Sequence, residues 1–190
     1  MLQDNKIIIG ITGTVGSGKD TVADYLIKKG FFYLSLSDLI REECSKKNKY
    51  HGRDDLIKMG NQLREKYGPG VLAKMALEKL INKDKIVLGS IRNQGEVEEL
   101  RKYNNFKLLK IDAPIDLRYQ RIQKRGKIDD QVSLDKFKEQ ESFERQGNFF
   151  QQQLDRVAAM ADQIVDNDGT LDELYKRVDE ILKEIFFEIN

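Results

Sequence analysis

Residues 13–21 combine a run of glycines with a lysine at a spacing that suits the binding of phosphate groups. The segment reads Gly13-Thr14-Val15-Gly16-Ser17-Gly18-Lys19-Asp20-Thr21. Glycines permit a backbone path on which successive N–H groups converge on an anion, and Lys19 would add a positive charge near the outer phosphates. The residue after the lysine is Asp20 rather than the usual serine or threonine. We therefore expect Thr21 or Asp20 to contact Mg²⁺ in place of that hydroxyl.

The elements on either side of this loop are typical of a phosphate site. The apolar run Ile7-Ile8-Ile9-Gly10-Ile11 predicts a buried strand before the loop, and residues 19–29 predict a helix after it. A helix N-terminus presents unpaired N–H groups and a partial positive charge to an anion. The alternative interpretation is an ordinary glycine-rich turn between a strand and a helix.

Further along the chain, short apolar runs alternate with helical patterns. The later strands are predicted at 31–36, 86–88, 106–111 and 162–166. Helices are predicted from Ser37 or Asp38 to about 47, at 54–66, 71–82, 93–103, 115–125, 134–146 and 150–160, and from Thr170 onward. Strands that alternate with helices indicate an α/β fold, with a five-stranded parallel sheet between two layers of helices. We expect residues 1–190 to form one domain.

Ligands of such sheets bind beyond the carboxyl ends of the strands, so the residues that follow each strand are candidates for a site. Asp38 and Arg41 follow the second strand, and Arg92 follows the third. Asp38 could be a helix-terminal charge, or a carboxylate that binds Mg²⁺ through water or accepts a proton from a hydroxyl. Arg92 could clamp a phosphate with two hydrogen bonds, or it could be an ordinary surface residue.

The helix after the fourth strand carries the most informative pattern of charge. Arg118, Arg121 and Arg125 recur at spacings of three and four residues, which predicts a shared face. This face adjoins a polar segment that begins at Gly126. A cationic helix next to such a segment predicts a lid that closes over phosphates, and a solvated basic face is the alternative.

Composition excludes several classes of function. Lys and Arg number 33 against 32 Asp and Glu, for a net charge of +1, so a general nucleic-acid surface is not expected. Cys44 is the only cysteine and His51 the only histidine, which excludes a disulfide framework and a multi-cysteine zinc site. No signal-peptide pattern or membrane-spanning apolar run occurs, so we expect a cytoplasmic protein without a membrane partner.

The chain resembles the P-loop kinases of the nucleoside monophosphate kinase superfamily. The resemblance covers nearly the whole chain and is strongest for kinase-like modules similar to dephospho-CoA kinases, which in some proteins precede a deoxycytidylate deaminase domain. It rests on the phosphate loop, the arginine-rich helix, and the segments 35–41, 63–70, 90–97 and 161–171. A deaminase is not part of this chain, because one cysteine and one histidine cannot form its zinc site.

The resemblance implies a role for each candidate residue, with ATP and Mg²⁺ as cofactors and a nucleotide-like acceptor. A helical insertion at about 38–82 would hold the acceptor, and a lid would span about 125–135. The catalytic residues would be Lys19, Asp38, Arg121 and Arg125. The ATP site would comprise Gly13, Thr14, Val15, Gly16, Ser17, Gly18, Lys19, Asp20, Thr21, Arg121, Asn167 and Gly169. The acceptor would contact Asp38, Arg41 and Arg92, and Mg²⁺ would contact Asp20, Thr21 and Asp38. Arg64 is a further candidate for acceptor binding, and an ion pair with a nearby acid is the alternative that its spacing leaves open.

One position departs from the pattern of these kinases. Many relatives carry an aspartate that helps to hold Mg²⁺ where this chain has Gly89. Either Asp38 or Asp20 replaces that acid, or phosphoryl transfer is weakened. The leading hypothesis is phosphoryl transfer to a (deoxy)nucleoside monophosphate, and dephospho-CoA is the alternative acceptor. The rival from another class is a nucleotide-binding regulatory module without transfer activity. The oligomeric state stays open.

Overall fold

A computed structural model describes residues 6–46, 52–126 and 132–189. Within these ranges the strands are β1 (Ile7–Thr12), β2 (Phe32–Ser35), β3 (Lys85–Gly89), β4 (Phe106–Asp112) and β5 (Gln163–Asp166). The helices are α1 (Lys19–Lys28), α2 (Leu36–Lys46), α3 (Arg53–Tyr67), α4 (Val71–Lys79), α5 (Gln94–Leu100), α6 (Ile115–Arg125), α7 (Leu134–Arg145), α8 (Leu154–Ala159) and α9 (Leu171–Ile189).

The five strands form one parallel sheet in the order β2-β3-β1-β4-β5. All six residues of β1 are buried at its centre, as expected for an uninterrupted β-branched run with neighbours on both sides. The predicted α/β fold with a five-stranded parallel sheet is therefore confirmed. Because the strands are parallel, their carboxyl ends share one edge, where the phosphate loop follows β1.

Helices cover both faces of the sheet, and successive residues of β1 point to opposite layers. Ile8 packs in a core with residues of α2, α3, α4 and α5, whereas Ile9 packs in a second core with α1 and α9. The apolar stripe of α9, formed by Leu174, Val178, Ile181 and Ile185, is buried in this second core. These two cores hold the loops at the carboxyl edge between rigid layers.

Side-chain hydrogen bonds mark two helix starts, and a third helix begins later than predicted. Capping boxes formed by Asn93 with Glu96 and by Thr170 with Glu173 lie at the starts of α5 and α9. The segment predicted as a helix from 150 is helical only from Leu154. The Asn93 side chain accounts for this difference, because its amide nitrogen donates to the carbonyls of residues 149 and 151 at 2.9 and 2.7 Å.

Two predicted features fall partly outside the described residues. The predicted lid at about 125–135 includes residues 127–131, and His51 belongs to the segment 47–51. Helix α2 begins at Leu36, one or two residues earlier than the predicted start at Ser37 or Asp38. The hydroxyl of Ser35 accepts a hydrogen bond from the backbone N–H of Ser37 at 3.3 Å. The strand therefore passes directly into the helix that carries Asp38 and Arg41.

Candidate functional site

The loop after β1 needs glycine at positions where its backbone approaches other segments closely. Gly16 has a φ of 79°, and a β-carbon there would lie 2.6 Å from the carbonyl oxygen of Arg118. Gly18 has a φ of 99° directly before α1, where the amide of Asn167 occupies the space that a side chain would need. Since positive φ and close backbone contact both favour glycine, this loop is built to a fixed shape.

Lys19 lies at the start of α1 with its ammonium turned back toward the loop. Its Nζ donates to the carbonyl oxygen of Thr14 at 2.6 Å. Burial lowers the pKa of Lys19 to about 7, and the positive charges of Arg92 and Arg118 act in the same direction, against Asp20 and Glu144. A lysine whose charge is this poorly compensated favours an incoming polyanion.

One cavity of about 700 Å³ lies at the carboxyl edge of the sheet and brings most of the predicted site residues together. Its walls come from the phosphate loop, the start of α2, α3, the turn after β3, α6 and α7. The predicted residues that line it are Val15, Gly16, Gly18, Lys19, Asp20, Thr21, Asp38, Arg41, Arg64, Arg92, Arg121 and Arg125. The predicted residues that do not line it are Gly13, Thr14, Ser17, Asn167 and Gly169.

Asn167 is not part of the cavity wall but holds the phosphate loop by a hydrogen bond. It is 5% exposed, and its Nδ2 donates to the carbonyl oxygen of Ser17 at 2.8 Å. Arg121 Nη2 in turn donates to the carbonyl and side-chain oxygens of Asn167 at 3.0 and 3.2 Å. In the described part of the chain, Arg121 Nη1 is buried without a hydrogen-bond partner. Arg121 therefore has one N–H donor group, at Nη1, that is available to a ligand beside the loop.

Arg118 does not share the role predicted for the arginine face of α6. It is 3% exposed, and it donates to the carbonyl oxygens of Ala113 and Val15 at 2.9 and 3.3 Å. Its guanidinium also forms an ion pair with Glu141 of α7. The prediction of one phosphate-facing surface was thus wrong for Arg118, because a buried carboxylate 23 residues away already pairs with it.

The predicted acceptor arginines have carboxylate partners. Arg41 Nη1 and the Asp38 carboxylate form an exposed ion pair at 2.6 Å on α2. Arg64 is 2% exposed, and its Nε and Nη2 donate to Glu96 at 3.0 and 2.7 Å. Arg64 reaches the cavity wall with two of its donors already used, and its contact with an acceptor stays a prediction.

Sequence reasoning missed the buried carboxylate of Glu144 and its partners. Glu144 of α7 lines the cavity and pairs with Arg53 at the start of α3 and with Arg92 after β3. Burial alone would raise the pKa of Glu144, but the charges of Arg92 and Arg53 outweigh it and hold that pKa below its ordinary value. The available signal was the spacing of Glu144 from the buried Phe137 and Glu141, which places all three on one helical face.

Gly89, the position at which the resemblance to kinases implies an acid, lies against an aromatic ring. A β-carbon at Gly89 would lie 2.5 Å from the hydroxyl oxygen of Tyr33 and 2.8 Å from its ring. Tyr33 also lines the cavity. The next residue, Ser90, has a φ of 60°, and its Oγ accepts a hydrogen bond from Ser35 at 3.0 Å. Tyr33 therefore takes the space into which an acidic side chain would extend.

The residues predicted to hold Mg²⁺ fit a shared site rather than a protein cage. No cluster of three or more histidine, cysteine, aspartate or glutamate side chains able to hold a metal occurs in residues 6–46, 52–126 and 132–189. Asp20, Thr21 and Asp38 nevertheless all line the cavity. Mg²⁺ commonly uses one or two carboxylates together with phosphate oxygens and water, so the side-chain oxygens of these residues are of a kind that suits Mg²⁺ beside a triphosphate.

The fold and the loop define a P-loop α/β domain with a kinase-like architecture. In agreement, a family model described as an AAA domain matches residues 9–147. The chain belongs to the UPF0200 family. It is 34% identical over 178 residues to a UPF0200 protein of Sulfurisphaera tokodaii, covering 94% of this chain and 97% of the relative. A UPF0200 protein of Pyrococcus abyssi is 33% identical over 188 residues, covering 95% and 98%.

Solved structures with this fold include kinases. The structure of TT1252 from Thermus thermophilus superposes with a TM-score of 0.63 at 24% identity, covering 95% of this chain and 98% of that one. Shikimate kinase from Bacteroides thetaiotaomicron superposes with a TM-score of 0.54 at 16% identity, covering 93% and 98%. At these identities the likeness extends to the fold alone. None of the helices in the described ranges is long and apolar enough to cross a membrane.

Proposed function

We propose that this protein transfers a phosphoryl group from ATP, with Mg²⁺, to a nucleotide-like small molecule. The observation that carries the proposal is a single cavity whose walls hold the phosphate-loop lysine, Lys19, together with Asp38 and Arg92 from two other strand ends. A site for ATP alone needs the first of these groups, whereas a site for two substrates needs all three.

The donor side would act by positioning and by neutralising charge. The amides of the phosphate loop and Lys19 would hold the β- and γ-phosphates, while Arg121 and Arg125 would face the transferred group from α6. Asp20, Thr21 and Asp38 would be the candidates to hold Mg²⁺, which would supply positive charge to neutralise the phosphates. Such electrostatic stabilisation supplies most of the catalysis in phosphoryl transfer, so no protein nucleophile is required.

The acceptor side combines a carboxylate, arginines and an apolar wall. Ile40, Leu56 and Ile57 line the cavity near Asp38 and Arg41, and they offer a surface for a base or another flat group. A phosphate acceptor would gain most from Arg41 and Arg92, which favours a (deoxy)nucleoside monophosphate. Dephospho-CoA, the alternative acceptor, would gain from Asp38 as a general base toward its ribose hydroxyl.

A nucleotide-binding regulatory module without transfer activity is the second candidate. The packing of Tyr33 against Gly89 favours it, because this packing excludes the acid that many related kinases use at that position. The two candidates differ in whether an acceptor increases the release of ADP from ATP.

The test is a coupled assay for ADP release with purified protein, ATP and Mg²⁺. The acceptors would be the nucleoside and deoxynucleoside monophosphates, dephospho-CoA and, because shikimate kinases share the fold, shikimate. Lys19→Ala is the control variant, and we expect it to abolish turnover while circular dichroism stays unchanged. Tight ATP binding without release on any acceptor would instead support the regulatory module. Turnover that survives in Lys19→Ala would refute the site.

A further inference from the structure

The inner face of α7 is unusual because it consists mainly of charge. The buried residues of this helix are Phe137, Glu141 and Glu144. Phe137 packs against the ring of Tyr119 with centroids 5.8 Å apart, and the two glutamates pair with arginines of other elements. An apolar contact holds one end of the helix, whereas ion pairs hold its C-terminal turns.

Glu144 lies between two cations that come from distant parts of the chain. Its Oε1 accepts from Arg53 Nε at 3.0 Å and also from Arg53 Nη2, while its Oε2 accepts from Arg92 Nη1 at 2.8 Å. The same Nη1 donates to the side-chain oxygen of Gln152 at 2.9 Å. The Glu144 side chain is 4% exposed, yet it forms part of the cavity wall. A carboxylate thus fills the position at which two guanidinium groups converge.

Converging guanidinium groups bind carboxylate and phosphate oxygens with the same forked geometry. Two neighbouring arginines without an anion would repel each other and would leave charge buried at a high cost. Glu144 removes that cost in the absence of a ligand. A phosphate group at the same position would carry more charge and would offer more acceptor oxygens than the single carboxylate.

We propose that Arg53 and Arg92 form an anion site that Glu144 occupies in the free protein, and that the phosphate monoester of the acceptor binds by displacing the Glu144 carboxylate. The inference rests on the proposed function only in naming the acceptor as the source of the phosphate. It assigns Arg53 to ligand binding and makes Glu144 an internal competitor, so that affinity for the acceptor is set partly by the loss of this ion pair.

Whether one substitution raises or lowers the affinity for phosphate distinguishes this proposal from a purely structural role of Glu144. Glu144→Gln keeps the size of the side chain and removes its charge, so it leaves the two arginines uncompensated. Inorganic phosphate and AMP should then bind roughly tenfold more tightly, since the ligand no longer displaces a charged partner. A residue that merely supports the fold would weaken binding when altered, or leave it unchanged.

The experiment is isothermal titration of inorganic phosphate, and separately of AMP, each with a non-hydrolysable ATP analogue saturating the donor site. Glu141→Gln is the matched control, because Glu141 lies one turn away on the same buried face and pairs with Arg118 instead. We expect this control to change AMP affinity by less than about a factor of two. Equal or weaker binding of both ligands to Glu144→Gln would overturn the proposal. Tighter binding of the ATP analogue without tighter binding of AMP would also overturn it.

Arg53→Gln provides a second test of the anion site, and this test does not depend on the stability of the Glu144 variant. It removes half of the anion site while leaving Glu144 with Arg92, so AMP binding should weaken by about tenfold. Unchanged AMP binding in this variant would refute the assignment of Arg53. These titrations require no turnover, so their failure is distinct from that of the kinase proposal, which the ADP-release assay measures.

Discussion

The hydroxyl oxygen of Tyr33 lies 2.5 Å from the position that a β-carbon would take at Gly89. Tyr33 is on β2 and Gly89 ends the neighbouring strand β3. Tyr33 pairs with Val87 and Ser35 pairs with Gly89, so Tyr33 and Gly89 are diagonal neighbours in the sheet. The glycine at position 89 and the tyrosine at position 33 therefore depend on each other. An aspartate at position 89 would fit only if the ring of Tyr33 moved.

Gly89→Asp should destabilise the protein by about 1–3 kcal/mol, because the added side chain meets the Tyr33 ring in a filled space. Adding Tyr33→Ala should recover part of that loss by opening the space. The measurement is urea unfolding of the two single variants and the double variant. If the double variant loses as much free energy of unfolding as the two single variants lose together, the two positions are not coupled.

Binding of ATP should take up a proton at Lys19 above neutral pH. Burial and nearby arginines lower the pKa of Lys19 to about 7, so its ammonium is largely deprotonated at pH 8 in the free protein. A bound triphosphate favours the charged form and raises this pKa again. Titration of ATP at pH 8 in buffers of different ionisation enthalpy should therefore show proton uptake, which should fall toward zero at pH 6.

Lys19→Met serves as the control for this proton uptake. The folded pKa of Lys19 lies below its unfolded value, so the unfolded chain binds more protons between about pH 7 and 10.5. The contribution of Lys19 to stability should rise with pH across this window, and Lys19→Met should lack it. Equal proton uptake by the two proteins would assign the proton to another group.

The contrast between Arg118 and Arg121 shows what the sequence could and could not predict. Spacing placed both arginines on one helix beside the phosphate loop, and the structure puts both there. Whether each faces a ligand or a carboxylate depends on residues of α7 and the loop after β5, far away in sequence. Periodicity carries no information about such partners, whereas strands, caps and the glycine loop depend on neighbouring residues and were predicted well.

Asn167 should control donor affinity without touching the donor. Its amide nitrogen holds the Ser17 carbonyl, and its oxygens fix Arg121. Asn167→Ala removes the side-chain support of both groups, so ATP affinity should fall by roughly tenfold while the fold is kept. Asp168→Ala is the adjacent control, since Asp168 forms an exposed ion pair with Arg177 instead. Comparable losses of ATP affinity in the two variants would show that Asn167 has no special role in supporting the loop.

Arg64 should stabilise the fold as well as line the acceptor site, because it pairs with the buried carboxylate of Glu96. Glu96 accepts from Arg64 through Oε1, and through Oε2 it accepts from the backbone N–H groups of Arg92 and Asn93 at 2.8 and 3.0 Å. Glu96 thus ties α3 to the turn that carries Arg92.

Arg64→Ala would leave the Glu96 carboxylate buried with one oxygen uncompensated, so it should reduce the free energy of unfolding by about 3–5 kcal/mol. The double variant Arg64→Met with Glu96→Gln removes both charges and keeps the amide oxygen as a cap. It should be more stable than Arg64→Ala in urea unfolding. A role confined to the acceptor predicts the opposite pattern, in which Arg64→Ala raises the KM of the acceptor and leaves unfolding unchanged. The two measurements together therefore separate a residue that binds the acceptor from one that holds Arg92 in place.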